Sequence, residues 1–292
     1  LEAIEPSRRD MTQRDLYALD ILNDWDYRHD VRSVGASIYQ HWVDSTLRLA
    51  LMDELDTGGE PGFLARFANS LTGAEHTPPA FRWYCTIADH WNHFKWFVGR
   101  PESVYWDDIN TRAQETRGDI VLAALRDALD RLEARAGSDM SHWQWGRFHQ
   151  LTFTHPLGLI PGVGPFVNIG PFPMEGGAQI VNNMLYGAGM HDYHVVAGPS
   201  TRRLIEFGPL VQVEVPAEED PQEEAAEEGT ADNVAAEKEY VMVREAPRAE
   251  TMLPAGNVGH VTSRHYDDQA RHFAAGRFRL VHYDRSEYAN EV

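Results

Sequence analysis

The sequence predicts an α+β fold, mainly helical over residues 1–140 and built of loops and strands over 141–292. Two patterns predict it. Apolar residues recur at helical spacing through the first region, whereas the second carries short β-prone runs among Gly, Pro and Asn. A hydrophobic content of 42% with eight Trp supplies enough apolar surface for a sizeable core in a chain of 292 residues.

Taken in order, Asp10 or Thr12 can cap a first helix carrying Leu16, Leu19, Ile21, Leu22 and Trp25. A second helix is expected over 34–55, where Ile38, Trp42, Leu47, Leu49 and Met52 share a spacing that ends before Gly58 and Gly59. The stretch 81–97 is dense in aromatics and reads as a helix with His90 and His93 packed among them. The clearest helix spans 116–136, with Ile120, Leu122, Leu125, Leu129 and Leu132 on one face and Gly137 as its stop. Beyond 143 the residues 193–197 and 203–207 suit a strand pair around Gly198-Pro199-Ser200. The runs 211–215 and 240–243 suit the arms of one hairpin, bracketing an acidic low-complexity insertion at 216–239. That insertion has too few apolar groups to offset chain entropy and is expected to be a mobile, solvated loop.

A net charge of -19 repels phosphate backbones and argues against nucleic-acid binding. No apolar run approaches the roughly 20 residues of a membrane span. Cys85 is alone, which excludes an internal disulfide and a Cys-based zinc site and leaves it the role of a small buried hydrophobe. His90 and His93 are three apart rather than the four of H-E-x-x-H, so packing suits them better than metal ligation. Gly158, Gly162 and Gly164 lack a following Lys-Ser/Thr, and Pro161 and Pro165 interrupt a helix that would present amides to a phosphate. No Gly-x-Ser-x-Gly elbow is present. Residues 1–6 show neither an initiating Met nor a signal-peptide pattern, which suggests a processed or truncated piece. Taken alone, these residues carry no self-contained active site.

Several blocks nevertheless follow one another in a familiar order. They are Trp143-Gln144-Trp145-Gly146-Arg147-Phe148-His149, Phe153-Thr154-His155-Pro156-Leu157-Gly158, Gly170-Pro171-Phe172-Pro173 and Gly198-Pro199-Ser200-Thr201-Arg202-Arg203. Leu253-Pro254-Ala255-Gly256-Asn257-Val258-Gly259-His260 and Ser263-Arg264-His265-Tyr266-Asp267-Asp268-Gln269 complete the series. The chain resembles the C-terminal portion of the β chain of the penicillin acylase family, and the upstream helices fit as well.

The resemblance implies an N-terminal-nucleophile hydrolase in which residues 1–140 are an accessory region and 141–292 add strands to an αββα sandwich. It implies a Ser nucleophile whose own α-amine, with a reference pKa near ~8, acts as base, and an Asn in the oxyanion hole. This chain starts at Leu1, and Ser7 lacks the family's nucleophile context, so both groups are expected outside it. Glu206 matches the position of a carboxylate that holds a His beside the nucleophile, and is the one candidate catalytic residue. Asn182, His265, Tyr266, Asp268 and Gln269 are expected to be buried structural polar groups. No cofactor or metal is expected here, since the family's calcium site falls mainly upstream. The implied partners are the rest of the β chain, the α chain and a small N-acyl substrate, in the periplasm or outside the cell. Acyl specificity stays open, and so does another reading: a non-catalytic acidic interaction module or an inactive remnant.

Overall fold

The computed structural model describes residues 4, 9–55, 90–178, 180–187, 192–214, 240–244, 248–256 and 258–281. Cys85, the acidic insertion at 216–239 and the first part of the aromatic stretch lie outside the described residues, as do the side chains of His90 and His93. The chain divides into two compact units, Leu1–Pro199 and Ser200–Val292. The arrangement is α+β, as the sequence predicts, with helices and small antiparallel sheets.

Unit 1 is organised by three helices. Helix α1 (Gln13–Asn23) starts at Thr12, whose side chain and that of Asp15 satisfy each other's backbone N–H in a capping box. It closes at Asp24, so Trp25 lies beyond it in the following loop. Helix α2 (Val34–Leu55) follows, and the third begins at Thr116 with a second capping box, through Asp119. Between them lies the short helix α3 (His90–Val98), and the third is therefore α4 (Arg117–Ala136). Gly137 ends α4 with a φ of 86°, a left-handed conformation that favours glycine.

Helices α2 and α4 pack together, with Ile38, Leu125, Leu129 and Leu132 all fully buried. Arg126 Nε reaches Asp15 at 3.0 Å, which pairs a carboxylate that is only 2% exposed. Phe97 of α3 stacks on Trp106 at 3.8 Å, and Trp106 Nε1 donates to the Arg100 carbonyl.

The loop-rich part of unit 1 shares this core. A single turn, α5 (Trp145–Phe148), is tied to the loop before α2 by Trp145 N–H to the Ser33 carbonyl and Gly146 N–H to the Val31 carbonyl. A Cβ on Gly146 would meet Val31 at 2.5 Å, so only glycine allows this approach. Strand β1 (Gln150–Phe153) pairs antiparallel with β2 (Ile169–Pro173), and β3 (Leu185–Gly187) with β4 (Asp192–Ala197). Between β1 and β2, Gly164–Val167 forms one helical turn, α6, despite the prolines. Pro165 sits at its first turn, where a missing N–H costs nothing.

Unit 2 is thinner. Strand β5 (Arg202–Glu206) pairs with β8 (Arg248–Met252), and β8 with β9 (Arg279–Leu280). The hairpin arms are present as β6 (Leu210–Glu214) and β7 (Tyr240–Arg244) in unbroken antiparallel register. A short helix, α7 (Ala270–Ala274), places Phe273 in the small core. One expectation fails: β4 and β5 are not a strand pair. Each has a different antiparallel partner, β3 and β8, neither of which the propensity pattern reveals.

Candidate functional site

The polar chemistry of unit 1 converges beneath a cavity of about 510 Å³. Its walls are aromatic, with Trp25, Tyr27, Tyr39 and Trp42, and its floor holds His29 and Gln40. Gln40, on α2 and 2% exposed, links two elements at once. Its Nε2 lies 2.7 Å from His29 Nε2, and its Oε1 accepts the Tyr186 hydroxyl at 2.5 Å. His29 is thus joined to Gln40 through Nε2 and also makes a hydrogen bond with the Tyr27 backbone. Burial holds the His29 pKa below its ordinary value, which keeps the ring neutral.

Deeper in the unit, two more imidazoles are sealed from water. His41 Nδ1 bonds the Ser37 carbonyl at 2.9 Å, and burial pushes its pKa down to about 3, assisted by Arg135 and Arg131 and opposed by that hydrogen bond and Asp127. His149 stacks on Trp145 at 4.8 Å and bonds the Tyr193 carbonyl at 2.7 Å. Its pKa is lowered to about 4, again chiefly by burial. Tyr186 and Tyr193 are buried beside Asp44, and burial raises both hydroxyls well above their usual range. Such a network rigidifies and specifies a core, and its imidazoles and phenols stay uncharged at neutral pH.

Glu206 stands elsewhere, at the exposed end of β5 opposite Arg248. With Leu204, Ile205, Arg248 and Glu250 it lines a shallow cavity of about 490 Å³, and Arg248 is engaged by Glu250 at 2.7 Å. None of these neighbours is a nucleophile. A carboxylate so placed can accept a hydrogen bond from an imidazole brought by another segment.

The other expected polar positions hold loops, but most are not buried as the sequence reading has them. His265 and Asp268 are exposed and bond each other at 3.0 Å, while Gln269 alone of the set is buried. The Tyr266 carbonyl accepts Gly256 N–H and the Asn182 carbonyl accepts Gly177 N–H. A loop needs these backbone contacts at its surface, so exposure follows from position. Sequence reasoning missed His29, Gln40, Tyr186 and the sealed His41; the one available signal was polar residues inside an apolar helical stripe at Gln40, His41 and Asp44. Among the described residues, no group of three His, Cys, Asp or Glu converges to hold a metal ion.

A family model described as Penicillin amidase matches residues 2–215 and 210–290, nearly the whole chain. The chain belongs to the penicillin amidase family. Its similar relatives include the acyl-homoserine lactone acylase QuiP of Pseudomonas aeruginosa, 26% identical over 222 residues, covering 71% of this chain and 24% of that protein. The protein of the same description from Pseudomonas syringae pv. tomato is 29% identical over 144 residues, covering 49% of this chain and 16% of that protein. Among solved structures, a thermostable penicillin G acylase from Alcaligenes faecalis aligns over 99% of this chain and 43% of its own, at 12% identity and a TM-score of 0.34. The family assignment rests on the sequence match. The chain spans no more than about a quarter of the length of these curated relatives.

Proposed function

We propose that this penicillin amidase family chain is the C-terminal portion of an amidohydrolase that cleaves the linear amide of N-acyl compounds. β-Lactam side chains and acyl-homoserine lactones are the substrate types in view. The observation that carries the reading is the family match across residues 2–215 and 210–290.

The reaction runs through a Ser acyl-enzyme. A terminal Ser hydroxyl adds to the acyl carbonyl while its α-amine takes the proton, and an Asn and a backbone N–H hold the oxyanion. Collapse breaks the C–N bond, the departing amine takes the proton, and water then cleaves the ester to release the acid and restore Ser. The nucleophile and the oxyanion Asn are contributed by a segment outside this chain. Glu206 is a positioning residue that accepts a hydrogen bond from a His of that segment and fixes its tautomer. The strands of this chain complete an αββα sandwich with the remainder of the β chain and the α chain, in the periplasm or outside the cell. No helix among the described residues is long and apolar enough to cross a membrane.

The test is to express the complete reading frame that encodes this chain and assay a panel of phenylacetyl, aliphatic, glutaryl and acyl-homoserine-lactone amides. Turnover lost on Ser→Ala at a newly exposed N-terminus is expected. A product that hydrolyses none of them contradicts the reading and leaves an interaction module or an inactive remnant.

A further inference from the structure

The aromatic cavity of unit 1 is walled by side chains that are each held from behind. Trp25 donates Nε1–H to the Arg28 carbonyl at 2.9 Å, and its ring lies against Gly35, where an added Cβ would meet it at 2.5 Å. Trp42 donates to the Val121 carbonyl at 2.9 Å, which anchors it on α4. Tyr39 packs on Trp25 with ring centroids 5.4 Å apart. Tyr27, at the rim, is 78% exposed and holds a φ of 63°. A bulky side chain keeps that conformation only where its surroundings impose it. The hydrogen bond between His29 and the Tyr27 backbone is such a constraint, and Gln40 fixes His29 in turn. Walls fixed before binding cost little ordering when a guest arrives.

The chemistry of the walls selects the guest. At about 510 Å³ the cavity lies in the range of small-molecule pockets. Its polar groups already have partners, since Gln40 serves His29 and Tyr186 and His29 also bonds the Tyr27 backbone. An anion would therefore lose its hydration and find no counter-charge on these walls. Asp24, Asp26 and Asp30 in the adjoining loop further disfavour an anion, and the nearby Arg28 is paired with Asp30 at 3.7 Å. Four rings favour a planar partner, because offset and edge contacts add to area burial. Asn23 at the mouth offers a carboxamide to one polar group on the guest. We infer that this cavity binds a planar aromatic molecule that carries no negative charge and bears one hydrogen-bonding group, of the chemical class of indoles and phenols. Binding at these walls requires no acyl transfer, so the inference stands or falls apart from the hydrolase reading.

The experiment is fluorine NMR of 5-fluoroindole titrated with this chain and, separately, with the product of the complete reading frame. A saturable shift is expected with both, unchanged by Tyr17→Ala, which removes an exposed ring of α1 that does not line the cavity. Tyr27→Gly removes the rim ring from an exposed site where glycine accepts the positive φ, and is expected to weaken binding about fivefold. Ile180→Trp, which fills the space from a loop, is expected to abolish it. Absence of a saturable shift, or equal binding by both cavity variants, overturns the inference. Binding to this chain alone, with none by the complete product, also overturns it, because polypeptide then occupies the cavity.

Discussion

The two units solve the burial problem differently. Unit 1 seals Trp106, Trp143, Trp145, Tyr186 and Tyr193 completely and threads histidines through them, each with a hydrogen bond. Among the described residues of unit 2 the buried hydrophobics are Ala249, Met252, Ala270 and Phe273, while Leu204, Ile205 and Phe207 remain more than half exposed. Leu204 and Ile205 are neighbours on β5, so their side chains point to opposite faces and both faces present apolar surface. Stability therefore concentrates where aromatic and polar groups interlock, and the strand that carries Glu206 has apolar surface to spare.

The strongest way to break that contrast is to empty the centre of unit 1. Trp145→Ala removes a fully buried ring, its bond to the Gly176 carbonyl and its stack on His149. The expected cost is about 3–5 kcal/mol, read as a fall in the urea midpoint of the helical signal. An effect below about 1 kcal/mol would mean the interior is not the source of stability.

Acid should attack the same place. His41 and His149 have folded pKa values of about 3 and about 4, below the 6.5 of an exposed imidazole. Both are lowered, so the unfolded chain binds protons first as pH falls. Their contribution is complete well above pH 6.5 and is lost progressively as pH falls below it, down to about 4 for His149 and about 3 for His41. Each proton gives a slope of about 1.4 kcal/mol per pH unit. Urea midpoints measured from pH 8 to 4 should be flat above 7 and then decline, and replacing His149 with Gln should remove one proton from the slope. A flat profile through pH 5 would contradict the sealed histidines.

A smaller effect sharpens the local account. Thr116→Ala removes the cap of α4 and is expected to cost about 1 kcal/mol in a thermal or urea melt. Glu206→Gln should be smaller still, within about 0.5 kcal/mol, because the side chain is exposed. In the product of the complete reading frame, the proposed positioning role of Glu206 predicts that the same change lowers kcat with little change in KM. Unaltered kcat would reduce Glu206 to a surface residue.

How far the sequence discloses this arrangement depends on range. Helices α2 and α4 are legible because their apolar spacing, and for α4 the Gly137 stop, lie within one segment. The β6–β7 pair is legible too, since β-prone, Val-rich arms stand on either side of an acidic low-complexity stretch of the sequence. Strand β8, Arg-Ala-Glu-Thr-Met, has no alternation and little β preference, and forms because β5 supplies a ladder some 45 residues away in sequence. The cavity is illegible for the same reason. His29 and Tyr27 come from a loop, Gln40 from a helix and Tyr186 from a short strand, so no local motif announces them. Glu206 stands out in the sequence only by family resemblance, and its surroundings alone would not single it out.

The most direct test of the central claim is intact-mass analysis of the complete reading frame's product, mixed rapidly with a phenylacetyl or acyl-homoserine-lactone amide. The account predicts a transient mass increase equal to the acyl group, mapping to an N-terminal Ser and absent after Ser→Ala. No acylated species on any Ser, under conditions where a control acylase accumulates one, would contradict it.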